Sequence, residues 1–247
     1  MIILDSDCIV PENYFAEIEK ELNEKPCDAF GGPDRAHKSF TSIQKAISYS
    51  MTSFFTTGGI RGGKKKTGKF HPRSFNMGIK RNVYEQLNGF SKMRFGEDID
   101  FSIRIFKAGY SVRLFPEAYV WHKRRTDFKK FYKQVYNSGM ARINLCKKYP
   151  ESLKPIHLLP TAFVFGILFL LISSFFCIYA LFPVLFFILL VFVDASIQNK
   201  NLVVGGLSVI ASFVQLFGYG FGFLHAFWKR CILKRNEVSA FDKTFYN

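Results

Sequence analysis

Between Ile156 and Trp228 the chain carries only two full charges, Asp194 and Lys200. A stretch this poor in charge and this long is a poor solvated surface and suits hydrocarbon. Acidic residues are scarce throughout, with 19 Asp+Glu against 34 Lys+Arg, for a net charge of +15. The imbalance sits mainly in residues 1–156, which hold 28 of the basic and 16 of the acidic side chains. Because the basic residues border an apolar block, they suit anionic lipid headgroups or phosphorylated substrates, and no nucleic-acid partner is expected. Cysteine is sparse and odd in number: Cys8, Cys27, Cys146, Cys177 and Cys231. No pair has metal-ligand spacing, which argues against a disulfide framework or a zinc ribbon and fits a reduced cytosolic face. Met1-Ile2-Ile3-Leu4 is too short for the apolar part of a signal peptide, and Asp5 interrupts it. No internal repeat is present.

What the chain does have is a succession of short elements followed by long apolar ones. Ile2–Leu4 reads as a buried strand. Pro11-Glu12-Asn13 opens a helix reaching about Asn23. Asp28–Gly32 reads as a strand ending in a Gly-Gly-Pro turn, and residues 40–55 as a helix. Gly58 to Lys69, with five glycines and the Lys64-Lys65-Lys66 run, reads as a mobile loop. Phe75–Lys80 is extended, Asn82–Asn88 a short helix stopped by Gly89, and Glu97–Ala108 a helix with Ile99, Ile103 and Phe106 on one face. Ser111–Leu114 and Ala118–Trp121 are strand-like. Asp127–Tyr149 interleaves aromatics with lysines, as an interfacial helix does. Leu158–Leu181 is long enough to span a bilayer, Pro183 starts a second apolar helix to Ile197, and Leu202–Trp228 is a third. Three full crossings would put Lys229 to Arg235 outside, so either one segment is re-entrant or interfacial or the third helix tolerates the bias; the glycines at 205, 206, 218, 220 and 222, which weaken a straight helix, single out Leu202–Trp228 as that segment. The expected domains are 1–125 catalytic, 126–156 interfacial, 157–228 membrane and 229–247 a basic tail.

Chemistry enters at Asp5-Ser6-Asp7. Two carboxylates two residues apart at the end of a strand point the same way and can share one divalent cation. Further along come Asn76-Met77-Gly78-Ile79-Lys80-Arg81, Leu87-Asn88-Gly89-Phe90 and Gly96-Glu97-Asp98-Ile99-Asp100-Phe101-Ser102-Ile103-Arg104. Gly109-Tyr110 and Pro116-Glu117-Ala118-Tyr119-Val120-Trp121-His122 follow. In this order the stretches resemble the C-terminal half of a family 2 glycosyltransferase domain, the inverting GT-A type.

The resemblance implies an α/β, partial GT-A fold that lacks its N-terminal nucleotide-binding strands and is followed by transmembrane helices. Asp5 and Asp7, with His122 as third ligand, would hold Mg²⁺ or Mn²⁺ against the donor's diphosphate. Asp98 would be the catalytic general base, at a helix start. Asp5, Asn76, Met77 and Glu97 would contact the nucleotide-sugar donor, and Arg104 would support Asp98 from behind. The implied activity is transfer of a hexosyl group, with inversion, to a lipid-linked or saccharide acceptor. The expected location is a multi-pass cytoplasmic membrane protein with its catalytic part in the cytoplasm, acting in cell-surface or exopolysaccharide synthesis.

Where processive synthases carry Gln-x-x-Arg-Trp, this chain reads Gln134-Val135-Tyr136-Asn137-Ser138, which points to addition of a single sugar. Gly218-Tyr219-Gly220-Phe221-Gly222-Phe223 resembles a glycine-aromatic signature of exopolysaccharide-type enzymes, and reads equally as small-residue packing between membrane helices. Because so little precedes Asp5, the chain is expected to be a truncated form, inactive alone. The competing readings are a catalytically inactive membrane scaffold or partner fragment, and a basic protein that binds anionic lipid or nucleic acid.

Overall fold

The computed structural model describes residues 1–37, 39–58 and 70–236. Seven short strands are present among them: β1 (Ile2–Leu4), β2 (Cys8–Ile9), β3 (Ala29–Gly31), β4 (Asp34–Arg35), β5 (Asn76–Ile79), β6 (Val112–Leu114) and β7 (Val120–His122). One sheet has the order β1-β5-β3-β6, with β5 antiparallel to both neighbours and β3 parallel to β6. The other has the order β2-β7-β4. The two-residue strands β2 and β4 are too short for an alternation signal, and the sequence reading passes over them. It also takes Ile2–Leu4 as buried. β1 instead lies at a sheet edge, paired on one side only, so Ile2 is exposed.

Strand alternation sends successive side chains to opposite faces. Phe30 enters a core with Tyr14, Ile18, Phe115 and Val120, where Phe30 and Phe115 stack at 4.4 Å. Its neighbour Ala29 enters the other core, with Met77, Ile79, Val83, Phe101 and Ile105. Helix α1 (Tyr14–Glu24) supplies the first core, and Arg113 ties it to β6 by pairing with Glu21 at 2.6 Å. Helices α4 (Arg81–Gln86) and α5 (Glu97–Lys107) supply the second core.

By compactness the chain forms two units. The first contains residues up to Ser39 and the described residues from 70 to 123; the second contains residues 40–58 and 124–236. The second unit begins with α2 (Ser42–Thr52), capped by a reciprocal Thr41–Gln44 pair, and the single turn α3 (Phe54–Thr57). It continues with the long α6 (Phe128–Lys148), whose N-cap is Asp127. The apolar helices are α7 (Leu159–Ser173), α8 (Phe182–Asn199) and α9 (Leu202–Phe227), the last running into a π-turn at Trp228–Ile232. Including flanking turns, three segments are long and apolar enough to cross a membrane: Pro155–Ser173, Ile178–Asn199 and Leu202–Ile232.

Two expectations are corrected here. The apolar run 158–181 is not one helix. α7 stops at Ser173, the Ser174 hydroxyl bonds back to the Leu171 carbonyl, and Cys177 is extended before a 3₁₀ turn at Ile178–Leu181 and Pro183 in the first turn of α8. The glycines do not interrupt the third helix, since α9 is continuous through them. Tertiary packing overrides their poor propensity. A Cβ on Gly222 would lie 2.0 Å from the Tyr136 carbonyl oxygen of α6, and one on Gly139 of α6 would lie 2.2 Å from the Tyr219 carbonyl oxygen. The glycine-aromatic segment therefore acts as a helix-packing surface. Part of the expected loop, residues 59–69, and the tail from 237 onward lie outside the described residues.

Candidate functional site

The candidate site lies in the first unit, where the two sheets diverge after β1. The Cys8 amide donates to the Asp5 carbonyl at 3.1 Å, closing a turn over Asp5-Ser6-Asp7. The two carboxylates thus sit on a turn between β1 and β2, and they converge by turn geometry instead of strand alternation. The pairing of β2 with β7 then sets Cys8 opposite His122, and the Lys123 amide donates to the Asp7 carbonyl at 3.1 Å. His122 Nε2 stands 3.1 Å from Asp7 Oδ1 and 3.8 Å from Asp5 Oδ2. Phe75 stacks on the imidazole with ring centroids 5.1 Å apart and fixes its plane.

This cluster fits a divalent cation. Asp7, Cys8 and His122 each present one ligand atom, all within 4.8 Å of one another, and Asp5 lies beside them. Two carboxylates and an imidazole suit Mn²⁺ well and Mg²⁺ through the oxygens. The sequence reading misses Cys8, although its place directly after Asp7 was a signal. Burial, reinforced by the negative charges of Asp5 and Asp7, pushes the Cys8 thiol up to about 11, so without a cation it is a neutral thiol at pH 7. Burial also raises the Asp5 carboxyl above its ordinary value; His122 opposes the rise, and the nearby charges of Asp7 and Asp98 add to it.

Asp98 belongs to a second group in the same unit. Asp98 is in the first turn of α5, after Gly96, whose φ of +86° suits a residue without a Cβ. It is 6% exposed. One carboxylate oxygen is ion-paired with Arg73 Nε, and the other accepts the Ile99 amide at 2.8 Å. Arg73 also escaped the sequence reading, since it lies in no recognisable motif; only the fold carries it to α5. Glu97 is half-buried and its carboxyl is raised, first by burial and then by Asp98.

The side chains of the remaining expected residues are engaged in contacts within the fold. Asn76 is fully buried, with Oδ1 accepting from the Tyr14 hydroxyl at 2.6 Å and Nδ2 donating to the Ala118 carbonyl at 2.8 Å. Its amide joins α1, β5 and the approach to β7, which leaves little for a sugar hydroxyl. Met77, one residue on, points to the opposite face and is fully buried in the α4/α5 core. Arg104 pairs with the buried Asp100 at 3.0 Å and donates to the Leu87 and Gly89 carbonyls, pinning the turn after α4.

Comparison with known sequences places this arrangement. The family described as "Glycosyl transferase family group 2" matches residues 1–195, most of the chain. The chain belongs to glycosyl transferase family group 2. A probable glycosyltransferase of Bacillus subtilis (strain 168), YdaM, is 32% identical over 59 residues. That match covers 24% of this chain and 14% of YdaM. The chain's mixed α/β elements fit a partial domain of the GT-A kind, followed by apolar helices long enough to cross a membrane.

Proposed function

We propose that this family 2 glycosyltransferase moves a sugar, with inversion, from a nucleotide-sugar donor to a lipid-linked or saccharide acceptor. Its setting is the cytoplasmic face of a bacterial-type inner membrane, in cell-surface or exopolysaccharide synthesis, and the sugar is a hexose. What supports this reading is the family match together with a cation-ready cluster, Asp5, Asp7 and His122, and the buried acid Asp98 in the same unit. Mg²⁺ or Mn²⁺ held by Asp5, Asp7 and His122 would supply charge neutralisation for the departing nucleoside diphosphate.

The chain's own residues do the rest. Asp98 accepts the proton of the acceptor hydroxyl as that oxygen attacks the anomeric carbon. Arg73 holds one oxygen of that carboxylate and the Ile99 amide the other. Arg73 acts as a positioning residue that fixes the carboxylate plane. Glu97, with its raised carboxyl, faces the donor. Addition of one sugar per encounter follows from the missing Arg-Trp after Gln134.

The test is sugar transfer with and without chelator, together with Asp98→Asn. Asparagine keeps the shape but cannot take the proton, so turnover should fall by about two to four powers of ten with donor affinity retained. Full turnover in excess chelator, or an Asp98→Asn enzyme within a few-fold of the parent, overturns the mechanism.

A further inference from the structure

We infer that the second unit enters the bilayer from one side only: α7 and α8 form a re-entrant hairpin, and α9 lies in the membrane boundary instead of crossing. The inference rests on the membrane association proposed above and concerns how the three apolar segments are used.

The first observation is what covers α9. Helix α6 rides along it: Val135 meets Gly218, Gly139 meets Tyr219 and Phe223, and Asn144 accepts from Arg230 Nε at 3.0 Å. Ala46 and Ile47 of α2 join Phe131 and Val135 around Ala211. Yet α6 exposes Lys129, Lys130, Lys133, Lys147 and Lys148. Were α9 to cross, α6 would be carried into hydrocarbon, where a basic side chain at the centre costs about 2.5–3.5 kcal/mol. A helix in the boundary plane has no such conflict. Its lipid side is also present: Val203, Ile210 and Phe221 are exposed and fall on one stripe of α9 at spacings of 7 and 11, and the exposed Trp228 follows in the π-turn.

The second observation is the reach of the hairpin beyond α9. Phe163 of α7 and Phe187 of α8 both pack on Phe213 of α9, at 5.7 and 5.8 Å. From that level α7 extends to Ser173, which at 1.5 Å per residue is about 15 Å. The returning arm, a 3₁₀ turn and the start of α8, is of similar length. Directed along the membrane normal, a free arm of about 15 Å would reach the middle of a hydrocarbon layer about 30 Å thick.

The third observation is the tip. Phe175 is 89% exposed, Phe176 90% and Tyr179 81%, and no charged residue lies between Lys154 and Asp194. The amides of Ser174, Phe175, Phe176 and Cys177 all bond to carbonyls of α7, so these four donors need no water. Its occupant is therefore acyl chain. With both hairpin ends and both ends of α9 on one side, Lys229, Arg230, Lys234 and Arg235 stay with the α6 lysines. Three crossings would separate these two basic groups.

Two natural cysteines make the test direct, since Cys177 is at the tip and Cys231 just past α9, both exposed. The full chain would be placed in sealed membrane vesicles as variants keeping Cys177 alone, Cys231 alone, or Lys133→Cys alone. A membrane-impermeant maleimide would then be applied from each side. Cys231 and the Lys133→Cys thiol should label from one and the same side, and Cys177 from neither until detergent is added. Labelling of Cys177 or Cys231 from the side opposite Lys133→Cys overturns the proposal. Nitroxides at Val203→Cys, Ile210→Cys and Phe221→Cys give an independent reading: equal depths support α9 in the plane, and an Ile210 position well below the other two refutes it. Loss of the whole chain from vesicles in alkaline carbonate would instead defeat the membrane association itself.

Discussion

Replacing Gly222 with alanine should weaken the second unit, although alanine is the better helix former. The Cβ would lie 2.0 Å from the Tyr136 carbonyl oxygen and 2.8 Å from its carbonyl carbon. Both are backbone atoms of α6, so no side-chain rotation relieves the clash. To reach even 3.0 Å the helices must part by about 1 Å, and a gap of that size forfeits a quarter to a half of the dispersion energy of the contacts beside it. Those contacts belong to Ile143, Phe223 and Ala226. Overpacking of this kind costs about 1–3 kcal/mol. The gain in helix propensity returns up to about 1 kcal/mol. With the full gain the net loss is about 0–2 kcal/mol, which for a chain of this size lowers the melting temperature by up to roughly 8 °C. Gly206 is the internal control, because its added Cβ meets nothing within 4 Å. Gly206→Ala should be neutral or raise the melting temperature by about 1–3 °C. Thermal unfolding of the two variants in the same detergent gives the answer. A Gly222→Ala protein as stable as Gly206→Ala would refute the close α6–α9 packing.

Three other outcomes follow from the first unit. His122→Ala should weaken Mn²⁺ binding, read by electron paramagnetic resonance, by at least tenfold while leaving the fold intact; unchanged binding would place the cation elsewhere. Tyr14→Phe leaves the buried Asn76 Oδ1 without its donor and should cost about 1–3 kcal/mol in denaturant unfolding, with an effect under about 0.5 kcal/mol counting against the Tyr14–Asn76 link. The Lys80 ammonium, with the Ser111 amide and hydroxyl, holds the Asp28 carboxyl at about 2, below its ordinary 3.8. Its stabilising contribution is present above pH 3.8 and is lost as the pH falls through about 2, so Asp28→Asn should flatten the acid limb of a stability–pH curve there; an unaltered limb would contradict the pairing.

The sequence by itself determined the order of elements, the family and the chemical types at the site. Local signals are strong where α5 starts with Glu97, Asp98 and Asp100 and where α6 starts at its Asp127 cap, and both helices lie within a residue or two of their expected bounds. Asp5 and Asp7 stand out in the sequence as a carboxylate pair two residues apart, whereas His122 entered only through the family resemblance. The tertiary structure decided what depends on partners distant in sequence. The β2–β7 register set Cys8 and His122 side by side across more than a hundred residues, and the fold brought Arg73 onto Asp98. Alternation along β5 assigned Asn76 and Met77 to two opposite cores, a fact invisible until both faces of the sheet were covered. The glycines of α9 carry the same lesson. Propensity reads them as weakness because it weighs a helix alone, whereas against α6 the absent side chains are what let two backbones meet.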